Sequence, residues 1–194
     1  MDYPNEVLKA FREHEDVVRA TVEQVQYIAR AVELVVDTLR AGNRLLLAGN
    51  GGSAADAQHW AAEWVIRMDA AIQRPGLPAL SLSTDSSILT AGANDIGFDR
   101  VFARQVEALG SSGDLLIVIS TSGNSPNLVE AIAAARGKSM AVLGILGKGG
   151  GRIAPLCDLP LIVPSEDTQR IQEMHAVIGH LLCGLSERAL YTEQ

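Results

Sequence analysis

The stretch "LLLAGNGGSAADAQHWAAEW", residues 45–64, decides the fold. It begins with an unbroken apolar run, turns through Gly49-Asn50-Gly51-Gly52, and continues into a segment without helix breakers. A short apolar run without polar alternation reads as a strand buried on both faces. A glycine turn leading straight into a helix is the joint of a parallel strand–helix unit. The same succession returns in "DLLIVISTSGNSPNLVEAIAAAR", residues 114–136.

Working outward, strands are predicted at 44–48, 79–83, 114–119, 139–145 and 159–163, and helices at 53–68, 86–93, 97–109, 125–136 and 168–190. This alternation implies a parallel sheet covered by helices on both faces, with ligands gathering beyond the carboxyl ends of the strands. The loops to watch are 49–53, 84–87, 120–125 and 146–151. Residues 5–40 show helical periodicity, as one bent helix or two, stopped by Gly42-Asn43. So much apolar surface on a lead segment suits docking onto something large, such as another subunit. No repeat, low-complexity tract or linker divides the chain, so a single domain is expected.

The 194 residues carry 16 Lys plus Arg against 23 Asp plus Glu, a formal net charge of -7. Sparse, scattered positive charge argues against direct nucleic-acid binding. No apolar run approaches the ~20 residues of a membrane span, and the charged start "MDYPNEVLKAFREHEDVV" lacks a signal-peptide core. A cytoplasmic location is therefore expected. Cys157 and Cys183 lie too far apart to suggest a disulfide framework or a zinc knuckle, and Cys183 sits in an apolar run that suits burial.

The first loop fits neither nucleotide motif well: the third glycine of a dinucleotide fingerprint is replaced by Ala54, and a P-loop lysine is missing. A glycine-rich turn at a helix start still makes a nest for an oxyanion or a sugar. The second loop, Ser120-Thr121-Ser122-Gly123-Asn124-Ser125-Pro126-Asn127, gathers hydroxyls at a helix start. Hydroxyls and unpaired N–H groups together suit a phosphate monoester. Alternatively, Ser125 is a plain helix cap with Pro126 at the first helical position.

His59 and Glu63 stand four residues apart on the predicted helix after the first loop, hence on one face. The pair can hold a metal ion, seat a carboxylate base beside an imidazole, or be merely structural. The last helix adds "RIQEMHAVIGHLL", with Gln172, His175 and His180. Gln172 and His180 are separated by about 12 Å along a straight helix. If both serve one centre, contributions from two copies of the chain would resolve that distance.

Four blocks in order, "GNGGSAADAQHWAAEW", "LSTDSSILTAGANDIGFDRVFARQVEALG", "DLLIVISTSGNSPNLVEAIAAAR" and "RIQEMHAVIGHLL", closely resemble the sugar isomerase (SIS) fold, and more narrowly the bacterial phosphoheptose isomerases. The resemblance covers nearly the whole chain. It implies an α/β fold: a single SIS domain with a five-stranded parallel sheet in a three-layer, flavodoxin-like αβα arrangement, behind an N-terminal helical extension. Residues 1–43 would serve oligomer packing and 44–194 the SIS domain, or 35–194 if a second N-terminal helix is counted with it. It further implies a cytoplasmic homotetramer with sites near subunit interfaces. The implied reaction converts D-sedoheptulose 7-phosphate to D-glycero-D-manno-heptose 7-phosphate through an enediol, toward activated heptose.

By the same resemblance Glu63 and His180 are catalytic, and one zinc ion per subunit is held by His59, Glu63, Gln172 and His180. Substrate contacts carry over to Asn50, Gly51, Gly52, Ser53, Glu63 and Arg67, to Asn94 and Asp95, and to Ser120, Thr121, Ser122, Ser125 and Gln172. A second resemblance, to a DnaA-associated initiation protein of the same fold, implies a non-catalytic tetrameric scaffold. That protein lacks the glutamate and the final histidine, and this chain has both in Glu63 and His180. An isomerase or sensor for another phosphosugar is the remaining alternative.

Overall fold

Five apolar runs form one parallel sheet in the computed structural model, which describes residues 1–192. The strands are β1 (Leu45–Gly49), β2 (Ala79–Ser81), β3 (Leu115–Ser120), β4 (Ala141–Leu146) and β5 (Leu159–Ile162), in the order β2-β1-β3-β4-β5. All four pairings are parallel, as the apolar runs predict, and β1 and β3 lie in register from Leu45↔Leu115 to Gly49↔Ile119. Pro160, which cannot donate to a ladder, falls on the edge strand β5.

The helices are α1 (Tyr3–Val22), α2 (Val25–Arg40), α3 (Gly52–Val65), α4 (Ser86–Asp95), α5 (Val101–Leu109), α6 (Pro126–Gly137) and α7 (Thr168–Tyr191). Alternate strand residues feed two cores. Leu45, Leu47, Ile117, Ile119, Leu143 and Ile145 face Val35 of α2, Trp60 and Trp64 of α3, and Ile171, Ile178 and Leu182 of α7. Leu46, Ala48, Leu116, Val118 and Val142 face Phe102 and Val106 of α5 and Leu128 and Ile132 of α6. This is the expected three-layer αβα arrangement.

The lead segment is two helices, parted at Glu23-Gln24, where the Gln24 N–H donates to the Thr21 carbonyl. The expected helix over 97–109 begins as a 3₁₀ turn at Phe98–Arg100 and becomes α-helical only from Val101. Cys183 is buried, and burial pushes its thiol up, so it serves as a core residue. The last two residues of the expected 44–194 unit lie outside the described residues. Among the described residues no helix is long and apolar enough to cross a membrane.

Candidate functional site

The strand order reverses between β1 and β3, so a crevice opens where their carboxyl ends part. The two loops singled out from the sequence emerge there side by side. A reciprocal amide pair locks them together: Asn50 Nδ2 donates to Asn127 Oδ1 at 3.0 Å, and Asn127 Nδ2 donates to Asn50 Oδ1 at 2.8 Å. The Asn50 side chain thus braces the loops, a role its position in the sequence did not signal. Gly51 starts α3 with φ 57 and ψ -121, a conformation essentially restricted to glycine, which turns the chain sharply from strand to helix. Ser53, one of the predicted contacts, is buried beneath this turn.

In the second loop the hydroxyls converge. Ser120 Oγ lies 3.5 Å from Ser122 Oγ and 3.4 Å from Ser125 Oγ, and accepts from the Gly123 N–H at 3.1 Å. Asn124 N–H donates to Ser122 Oγ at 3.2 Å. Ser125 occupies the N-cap of α6 yet makes no side-chain capping bond. Its hydroxyl turns toward Ser120 instead, leaving the first turn of α6 open to an anion. Thr121 lies half-buried in the same loop.

α3 and α7 lie side by side and parallel. Gln172 packs on Gly52, Gly179 on Trp60, and Trp64 Nε1 donates to Ser186 Oγ at 3.0 Å. The two helices therefore climb together, and each level of one meets a fixed level of the other. His180 stands beside His59, ring centroids 5.0 Å apart and edge-on. His59 Nε2 lies 3.1 Å from Glu63 Oε1. Glu63 is held from behind as well. Arg74 donates from Nη2 to the Glu63 carbonyl at 2.9 Å and from Nη1 to the Trp64 carbonyl at 2.8 Å, satisfying the open end of α3. Arg74 is itself held by the buried Glu187 carboxylate at 2.7 Å, which also accepts from Met68 N–H and Asp69 N–H.

This alignment corrects the zinc expectation. Because the helices run parallel, Gln172 meets the beginning of α3 at Gly52, while His180 meets His59 further along. Eight positions of α7 separate Gln172 from His180 and keep them about 12 Å apart along the axis, and His59 and Glu63 direct their polar atoms at each other. Among the described residues no group of three or more His, Cys, Asp or Glu is gathered so as to hold a metal ion. The residues His59, Glu63, Gln172 and His180 do not fit a common ion, and the metal-binding expectation is withdrawn.

Other predicted residues fall apart in space or serve differently. Arg67 is exposed just past the end of α3. Asn94 and Asp95 are exposed at the end of α4, bonded to each other at 2.6 Å, and Asp95 shares a shallow cavity with Ile88 and Arg104 rather than with the α3–α7 groups. His175 faces inward, its Nε2 3.1 Å from the Leu146 carbonyl oxygen. A residue missed by the sequence reading is Asp56, one turn before His59 on the same face of α3. Burial pushes its carboxyl above the ordinary range, opposed by the Gln172 amide and by the His59 and His180 imidazoles. The signal available was its spacing, three before His59 and seven before Glu63.

Residues 11–147 match the SIS domain family. The chain is 55% identical over 164 residues to a phosphoheptose isomerase of Trichlorobacter lovleyi, covering 84% of this chain and 83% of that protein. Its structure resembles a phosphoheptose isomerase of Neisseria gonorrhoeae with a TM-score of 0.89 at 42% identity, over 95% of this chain and 98% of that one. It resembles one from Francisella tularensis with a TM-score of 0.93 at 34% identity, over 97% and 100%.

Proposed function

This chain belongs to the SIS domain family and, within it, to the phosphoheptose isomerases, and we infer that Glu63 and His180 are the acid–base pair of its reaction. The protein is an isomerase that interconverts D-sedoheptulose 7-phosphate and D-glycero-D-manno-heptose 7-phosphate, a step of heptose biosynthesis. Such an aldose–ketose exchange moves one proton between C1 and C2 and another between their oxygens. Glu63 takes the proton from C1 while His180 gives one to the C2 oxygen, and the electron pair of the broken C–H bond becomes the double bond of a cis-enediol. Return of the Glu63 proton to C2, with His180 removing the proton from the C1 oxygen, leaves the aldehyde.

The single observation that carries this reading is the side-by-side climb of α3 and α7. It brings His180 against His59, whose other neighbour is Glu63, in one chain. The serine hydroxyls and the open first turn of α6 suit the phosphate. The first loop lies beside them, and from Gly52 to His59 α3 rises about 10 Å, a span comparable to an extended heptulose chain. Turnover of sedoheptulose 7-phosphate by the wild type, Glu63→Gln and His180→Gln tests the assignment. Each substitution is expected to lower kcat by about 10²- to 10⁴-fold; wild-type rates in either variant would refute the roles.

We also propose a cytoplasmic homotetramer in which residues 1–43 provide packing surface and 44–194 the isomerase unit. In support, α1 exposes Tyr3, Val7, Leu8 and Phe11. An apolar groove of about 270 Å³ runs between α1, α2 and α7, lined by Val22, Val25, Val177 and Leu181 among others. Val177 and Leu181 flank His180 on the outer face of α7, so a second copy seated there would close over the site, and its α4 is the proposed source of Asn94 and Asp95. Light scattering of Leu181→Asp beside wild type tests this: smaller particles are expected, and an unchanged mass would refute the surface.

A further inference from the structure

A phosphate monoester is close to a dianion at neutral pH, yet the serine loop that suits it offers only hydroxyls and backbone N–H groups. The segments that leave the carboxyl ends of β1, β2, β3 and β5, residues 50–51, 82–85, 121–125 and 163–167, contain no lysine or arginine. The segment that leaves β4 is different: Lys148 comes two residues past the strand, and Arg152 four residues later. Lys148 is exposed, and among the described residues its side chain takes part in no ion pair.

The stretch "GKGGG", residues 147–151, is built directly onto the serine loop. A Cβ on Gly147 would stand 2.8 Å from the Thr121 carbonyl oxygen, and Gly123 packs against the Gly150 carbonyl too closely for any side chain. Hydrogen bonds fasten the same two segments: the Ile153 N–H donates to the Gly123 carbonyl at 2.9 Å, and the Arg152 N–H to Asn124 Oδ1 at 3.1 Å. The backbone of Lys148 is therefore fixed beside residues 121–124, between the Gly147 and Gly150 contacts. Its conformation is unusual. The Gly150 N–H donates to the Gly147 carbonyl at 2.8 Å, closing a turn in which Lys148 and Gly149 both have positive φ, 47 and 69. Such a turn favours asparagine or glycine at its first central position. A lysine there is held at a cost to the backbone, which points to a use for its side chain.

We propose that Lys148 supplies the positive charge at the phosphate end of the substrate: its ammonium group pairs with the phosphate seated on Ser120, Ser122, Ser125 and the first turn of α6. A lysine suits this place, because its flexible stem carries a compact charge with three donors. The inference rests on the reading of the serine loop as the phosphate seat, and adds the countercharge that loop lacks. The phosphate is remote from C1 and C2, so the pair holds ground state and transition state equally and its effect falls on KM.

The test measures kcat and KM for sedoheptulose 7-phosphate, alongside melting temperature, in wild type, Lys148→Met, Lys148→Gly, Lys148→Arg and Arg152→Met. Lys148→Met keeps the apolar stem, and Lys148→Gly suits the left-handed backbone. Both are expected to raise KM about tenfold, with kcat near the wild-type value and melting temperature unchanged or, for Lys148→Gly, higher. Lys148→Arg should keep most of the affinity, and Arg152→Met should match wild type. Added salt should raise the KM of wild type more steeply than that of Lys148→Met. Wild-type KM in Lys148→Met and Lys148→Gly would overturn the proposal, as would a KM in Lys148→Arg as high as in Lys148→Met. An equal rise in Arg152→Met would do the same, since it would show a diffuse field rather than a pair. So would a fall in melting temperature that accompanies the rise in KM in both Lys148→Met and Lys148→Gly, which would make Lys148 a support of the loop. Ser125→Ala separates the two levels: a raised KM there with wild-type KM in Lys148→Met removes this inference alone, whereas unchanged KM in both removes the phosphate seat with it.

Discussion

His175 lies fully buried behind the site, its Nε2–H donating to the Leu146 carbonyl at the carboxyl end of β4, and acid should unfold the protein through it. Burial lowers its pKa from 6.5 to about 4, the bond to Leu146 opposing only part of the shift. In the unfolded chain the imidazole takes its proton near the ordinary value, while the folded chain refuses it until about pH 4. The stabilisation is therefore fully present above pH 6.5, falls as the pH drops, and is gone below pH 4. One proton corresponds to about 1.4 kcal/mol per pH unit, so roughly 3 kcal/mol is at stake in total and about 2 kcal/mol between pH 7 and pH 5. Urea denaturation at both pH values, at fixed protomer concentration, reads this directly. Other groups titrate in the same range, so the comparison is with His175→Gln, whose amide N–H can replace the donor without titrating. The variant should lose about 2 kcal/mol less than wild type over that interval. Equal losses in the two proteins would refute the claim that His175 is held neutral against Leu146.

The remaining predictions concern the frame that sets the site. Gly179→Ala drives a Cβ into the Trp60 ring and should cost about 1–3 kcal/mol, lowering both melting temperature and kcat as α7 moves off α3; unchanged values of both would show that the contact is slack. Glu187→Gln leaves the buried Arg74 guanidinium without its charge partner and should destabilise by about 3–5 kcal/mol in thermal or urea unfolding, whereas wild-type stability would mean that the cap on α3 needs no anion. Ser125→Ala should raise KM for the phosphosugar about tenfold, the loss of one hydrogen bond of ~1.4 kcal/mol, at unchanged melting temperature. A stability loss of about 1 kcal/mol with unchanged KM would instead identify Ser125 as an ordinary helix cap.

Much of the frame was legible because it is written in near neighbours. The apolar runs at 45–48 and 115–119 have no alternation, which is the mark of strands covered on both faces, and the structure buries every residue of β1 and β3. The hydroxyls of 120–125 could be read as an anion loop because strand, loop and helix start follow within a few residues. The division of the lead segment at Glu23-Gln24 was not legible, since neither glycine nor proline marks it. Arg74 and Glu187 gave no signal at all: they are 113 positions apart, and each alone looks like a surface charge.

The sequence by itself determined the strand–helix alternation and the two loops at the sheet's carboxyl edge. What only the tertiary structure decided is which polar groups meet. The contact between Trp60 and Gly179 sets α3 and α7 parallel and in step, and from that step follow the closeness of His180 to His59, the seat of Gln172 on Gly52, and the enclosure of Asp56. It also turned His175 into the core and kept the four expected zinc ligands from sharing an ion. Periodicity reports which face of a helix a residue occupies, but the level at which two distant helices meet depends on packing that no local pattern encodes.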